Sequence, residues 1–178
     1  MPVSINNTTL TFNNGTTQTT AYPGSSGGGI TGMSVYNSPG TFTTPANTTK
    51  VYVTMVSGGA GGGNINAGRG AGGSGITAAG VYTVTASTAY PVTVGGAGSG
   101  GSPSGSPGGA SSLGSLLTAN GGSAANSTNP GANGTAPLAA TSGTAGQAVF
   151  GSNLGNPGAG TEGDAGAPGG PGRVIVYF

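Results

Sequence analysis

Three observations predict an all-β fold for this chain of 178 residues. Short runs of alternating apolar and polar residues recur along it, the period-2 pattern of strands with one buried face. No window carries the 3.6-residue periodicity of an amphipathic helix, and glycine interrupts most windows at a cost to helix. The strands alternate with tracts rich in glycine, of which the chain has 42. The expected architecture is a sandwich or jelly-roll of strands. The tracts are expected either as helices of polyglycine-II type or as packed loops.

Three zones follow from composition. Residues 1–22, MPVSINNTTLTFNNGTTQTTAY, hold Ile5, Leu10 and Phe12 and then Asn14-Gly15, a typical hairpin pair. Residues 23–38, PGSSGGGITGMSVYNS, read as a Gly/Ser connector or an ordinary surface loop. Residues 39–178 form the glycine-rich β domain. Its first strand is TFTT (41–44), stopped by Pro45, and its second is KVYVTMVS (50–57), with Val51, Val53 and Met55 on one face. GVYTVTAS (80–87) and YPVTVGG (90–96) are expected to pair as a meander through the turn at Thr88-Ala89. SSLGSLLTANGG (111–122) and GQAVFGS (146–152) are weaker candidates. RVIVYF (173–178) is a strong last strand, apolar on both faces, as in the middle of a sandwich.

The glycine tracts cover 58–75, 95–110, 121–146 and 155–172. In the last, Gly160, Gly163, Gly166, Gly169 and Gly172 recur at every third residue. These triplets are too few for a collagen helix, and the other tracts break the period. The geometry survives without collagen. A left-handed extended helix has three residues per turn and no internal hydrogen bonds, so its backbone needs neighbours. Ordering each residue costs about 1–2 kcal/mol, and glycine returns almost nothing at about 25 cal/mol per Å² of apolar burial. Order must then come from backbone contacts between tracts and between copies of the chain, and a homo-oligomer is expected.

Composition argues against most chemistry. Only five side chains are charged, Lys50, Arg69, Arg173, Glu162 and Asp164, for a net charge of +1. That gives no footprint for nucleic acid. There is no histidine and no cysteine, so Ser-His, Cys-His and thiolate-metal arrangements are impossible. Glu162 and Asp164 sit two residues apart in a glycine-rich tract, unlike a glycosidase pair on opposed walls. GAGGGN and GRGAGG lack the following helix and the GK[ST] of a nucleotide loop. The reading is a protein that is not an enzyme and holds no cofactor or metal. The longest strongly apolar run, VIVYF, is too short to span a membrane, and MPVSINNTT lacks a signal-peptide pattern. No membrane insertion is expected.

Surface recognition remains. Tyr22, Tyr36, Tyr52, Tyr82, Tyr90 and Tyr177 are the large amphipathic rings; those within strands are expected in the core or a subunit interface. The stretch SAANSTNPGANGT (123–135) is the candidate recognition loop, through Ser123, Asn126, Asn129 and Asn133, with a neutral spacer as the alternative.

LTFNNGTTQTTA (10–21) resembles a segment recurrent in virion proteins of bacteriophages, especially cyanophage tail fibres. PGTFTTPANTTKVYVTMVSGGAGGG, YTVTASTAYPVTVGGAGSGG, GGASSLGSLLTANGG and GGPGRVIVYF, in that order, resemble the glycine-rich domain of phage fibre and adhesin proteins. The resemblance covers nearly all of 39–178. It implies a short tail fibre or fibre-tip adhesin at the surface of a virion, made in the host cytoplasm. Leu10, Phe12, Gly15 and Gln18 would then belong to the virion-anchoring segment. Implied partners are further copies of the chain in a homotrimer, other virion proteins, and a host surface glycan or outer-membrane protein. The alternative is a decoration or cement protein that braces a capsid or tail without touching the host.

Overall fold

The computed structural model describes residues 29–65, 68–125 and 166–178, with the short strands at 4–6, 9–11, 17–18 and 140–141. It divides into two units, Met1–Thr31 and Gly32–Phe178. All described regular structure is strand, and none is helix.

The first unit is an antiparallel sheet of β1 (Ser4–Asn6), β2 (Thr9–Thr11) and β3 (Thr17–Gln18), with β2 in the middle. The expected Asn14-Gly15 hairpin falls in the 12–16 connection between β2 and β3, outside the described residues.

The second unit has two main antiparallel sheets. One has the order β13-β9-β6-β14-β4, built from β4 (Met33–Tyr36), β6 (Lys50–Val56), β9 (Thr77–Thr83), β13 (Ala140–Thr141) and β14 (Arg173–Tyr177). The other has the order β12-β11-β10-β5, from β5 (Gly40–Thr43), β10 (Ala89–Thr93), β11 (Ser111–Leu113) and β12 (Leu117–Ala119). The inner faces of both share one core. Val51, Val53, Met55, Ala78, Val174 and Val176 come from the first sheet, and Phe42, Val92, Leu113, Leu117 and Ala119 from the second. The alternation read in KVYVTMVS therefore selects the core face as expected.

Several elements differ from the sequence reading. Residues 33–36, inside the expected connector 23–38, form the edge strand β4, paired to β14 from Tyr36↔Val174 to Tyr177↔Met33. The expected meander of 80–87 with 90–96 is absent, because β9 and β10 lie in different sheets. The turn between them is held from outside. The buried Thr44 hydroxyl donates to Thr85 O (2.6 Å) and accepts from Thr88 N (2.8 Å), and Ser87 takes a φ of 53°. The stretch 111–122 is a hairpin, β11 and β12, rather than one strand; it turns at Gly114, whose φ of +49° favours glycine. The candidate strand 146–152 lies outside the described residues.

Candidate functional site

Six segments leave the edges of the two-sheet body, and most of their residues are glycine. The segment after β6 runs out through 57–63, reverses at the hairpin of β7 (Gly63–Ile65) and β8 (Gly68–Gly70), and returns to β9. The segment after β10 runs out through 94–101, turns at 102–104 and returns to β11. A fifth leaves β12 through 120–125, and a sixth, 166–172, runs into β14.

Two buried serines make the transition from sheet to tract. Ser57 Oγ donates to Asn120 O and accepts from Ile76 N, both at 2.8 Å. Ser111 Oγ donates to Val56 O (2.8 Å) and accepts from Gly95 N (3.0 Å). Both residues are fully buried, so each hydroxyl replaces ladder bonds that end where the strands separate.

Beyond the serines, backbone alone holds the segments together. The tract 58–62 is central, and its five consecutive amides donate to three neighbours. Gly58 and Gly61 donate to Gly109 O and Ser106 O, Gly59 and Gly62 to Gly170 O and Ala167 O, and Ala60 to Gly73 O, all at 2.8–2.9 Å. Its carbonyls accept in turn from Gly122 N at Gly58, Gly98 N at Gly59 and Gly101 N at Gly62. The 106–109, 167–170 and 98–101 neighbours are each met again three residues later. Between the outer tracts the step is the same: Gly166, Gly169 and Gly172 donate to Gly101, Gly98 and Gly95.

Side chains are excluded from these contacts. A Cβ at Gly98 would run into Ser106 O and lie 2.7 Å from Gly61 N; one at Gly166 would run into the carbonyl of Gly62 and lie 2.8 Å from Gly63 N. Where a tract faces outward the restriction ends. Pro107, Pro168 and Pro171 are exposed, at positions where an absent amide leaves no neighbour unsatisfied.

This arrangement carries the β7–β8 hairpin and the 102–104 turn to the end away from the sheets. A parallel bridge between Gly63 and Gly101 sets the start of that hairpin beside the turn, and Gly166 N donates to Gly101 O (3.2 Å) at the same level. Arg69 lies in β8, opposite Asn64. Sequence reasoning did not bring these two segments together, because neither carries a motif and only the shared direction of the tracts does so.

Of the recognition residues read from sequence, Ser123 lies on the flank of the tracts, exposed, with its carbonyl accepting from Gly73 N (2.9 Å). Asn126, Asn129 and Asn133 lie outside the described residues. In the anchoring segment, Leu10 and Gln18 face each other across the β2–β3 register, while Phe12 and Gly15 lie outside the described residues.

A second surface is the outer face of the five-stranded sheet. Val81, Tyr52, Tyr177 and Met33 are directly opposite one another on β9, β6, β14 and β4, forming one row across four strands. The Tyr52 and Tyr177 rings lie 5.8 Å apart at 37°. Val81 is 65% exposed, Met33 55% and Tyr52 42%. Among the described residues no group of three His, Cys, Asp or Glu is placed to hold a metal ion.

The chain matches the family model described as glycine-rich domain over residues 34–174. It belongs to that family. The matched span starts in β4 and ends in β14, so it takes in both main sheets and every described glycine tract, and it leaves out the β1–β3 unit. No curated protein matches the chain.

Proposed function

We propose that this glycine-rich domain protein is a non-enzymatic structural component of a bacteriophage particle, a short tail fibre or fibre-tip adhesin that contacts the host cell surface. The observation that carries the reading is the mutual backbone bonding of the tracts around 58–62. Its three-residue step is what a bundle of polyglycine-II-type helices requires, since such helices turn once in three residues and leave every amide for a neighbour. The exposed prolines support the same geometry, because proline's fixed φ of about −65° suits an extended helix of this kind.

A bundle closed by backbone alone is a stiff spacer with little dependence on charge or side-chain packing. Its far end can change sequence freely, because the turns there take no part in the core. That division suits a tip whose function is recognition. Host-facing contacts are assigned to the β7–β8 hairpin and the 102–104 turn, and the sequence 123–135 is kept as the candidate recognition loop. Residues 1–22 are assigned to anchoring on other virion proteins, and the assembly to a homotrimer.

The test is the position of the protein on the particle, together with competition for adsorption. Immunogold label at the fibre tip, and purified protein that blocks phage adsorption, are the expected results. Label on the capsid or tail sheath with no competition would instead assign a decoration protein.

A further inference from the structure

The row Val81–Tyr52–Tyr177–Met33 crosses four strands, with Val81, Tyr52 and Met33 exposed and Tyr177 half-buried between them. We propose that it is a docking site for a second copy of this chain, and that the docked element is that copy's 166–172 tract, through Pro168 and Pro171. The inference rests on the reading above that the tracts run as extended helices of three residues per turn.

The tract is sorted by direction. Gly166, Gly169 and Gly172 donate toward the 95–101 tract, and Ala167 and Gly170 accept from the central tract. Only Pro168 and Pro171 are left facing outward, and both are exposed. Extended proline ridges dock on aromatic surfaces because the ridge is already ordered before binding. Here the ridge is held by its own bundle, so its ordering adds no further entropic cost on docking.

The spacings agree. Prolines three residues apart on such a helix are separated by about 9 Å, at about 3.1 Å rise per residue. On the sheet, the gap between Val81 and Tyr52 and the gap between Tyr177 and Met33 are two strand spacings apart, about 9.6 Å. One proline seats in each gap, with the tyrosine pair between them.

Charge chooses this contact over a like-with-like pairing of two sheet faces. The same face also carries Lys50, opposite Thr83, and Arg173, opposite Val56, on either side of the row, so two such faces would repel. Both carboxylates of the chain, Glu162 and Asp164, precede the proline tract in sequence. The contact is therefore heterologous, row to ridge, and can close into a ring of copies.

Sedimentation velocity on the full chain, up to about 100 μM to capture a weak specific contact, tests this. Association that rises with concentration is expected. The double variants Tyr52→Ser/Tyr177→Ser and Pro168→Ser/Pro171→Ser should each sediment as monomers. Mixed together, they should form a dimer and nothing larger, because one intact row and one intact ridge remain. A monomeric wild type, either variant associating like wild type, or a mixture that stays monomeric would overturn the proposal. Amide exchange at 58–62 separates its failure from that of the helix reading. Protected amides in a monomeric wild type remove the docking alone, whereas freely exchanging amides remove the bundle and the ridge with it.

Discussion

One methyl group at Gly61 is predicted to destabilise the protein more than any single surface change. A Cβ there would run into the Ser99 carbonyl and lie 2.6 Å from Gly100 N. Non-bonded heavy atoms need about 3.5 Å and the Ser99 carbonyl would be closer still than Gly100 N, so the 58–62 and 95–101 tracts must separate by more than about 1 Å. The bonds that cross that gap are Gly98 N→Gly59 O (2.8 Å) and Gly101 N→Gly62 O (3.1 Å), and both would be stretched beyond useful range. Each buried group left unpaired costs about 1–3 kcal/mol, and two lost bonds leave four groups, so the loss is at least about 4 kcal/mol. Domains are stable by only about 5–15 kcal/mol, so Gly61→Ala should lower the urea midpoint sharply. Gly61→Val should prevent the tracts from packing. Gly96 supplies the control, since a Cβ there meets nothing within 4 Å. Gly96→Ala should be neutral or stabilise by up to about 1 kcal/mol, through a less disordered unfolded chain. If Gly61→Ala unfolds within about 1 kcal/mol of Gly96→Ala, the tracts are not held by close backbone contact and the reasoning is wrong.

Ser57→Ala and Ser111→Ala each leave a buried amide and a buried carbonyl without their hydroxyl, and should each cost about 2–6 kcal/mol in denaturant titrations. Thr54 has a buried hydroxyl with no hydrogen-bond partner among the described residues, so Thr54→Val should leave stability unchanged or raise it by about 1 kcal/mol; a loss would reveal a partner for that hydroxyl. Burial holds the Tyr82 phenol above its ordinary pKa. The folded chain then keeps that proton more tightly than the unfolded one, so its contribution is complete below about pH 10 and is lost as pH rises through the folded value. Thermal melts from neutral to alkaline pH should show that decline, and Tyr82→Phe should reduce it.

The sequence by itself determined the all-β class and the core-facing set of β6. Alternation in KVYVTMVS dictates that Val51, Val53 and Met55 share the core face whatever the neighbouring strands turn out to be, although Thr54 and Val56 on the other face are buried too. It also marked where side chains stop, at Gly58, and placed strands at 41–44 and 173–178 close to where they lie. Tertiary structure alone decided which strands share a sheet. β9 and β10 read as a hairpin, but Thr44, 41 residues from Thr85, holds the intervening turn so that the chain crosses to the other sheet. The edge strand β4 was hidden in a Gly/Ser-rich stretch, because its order comes from pairing with β14 at the other end of the chain. The tracts differ in kind. Local sequence says only that glycine permits close approach, since a chain without side chains has no pattern to mark its neighbours. Which tract lies beside which, and that the β7–β8 hairpin starts beside the 102–104 turn, follows from the sheet that launches each tract.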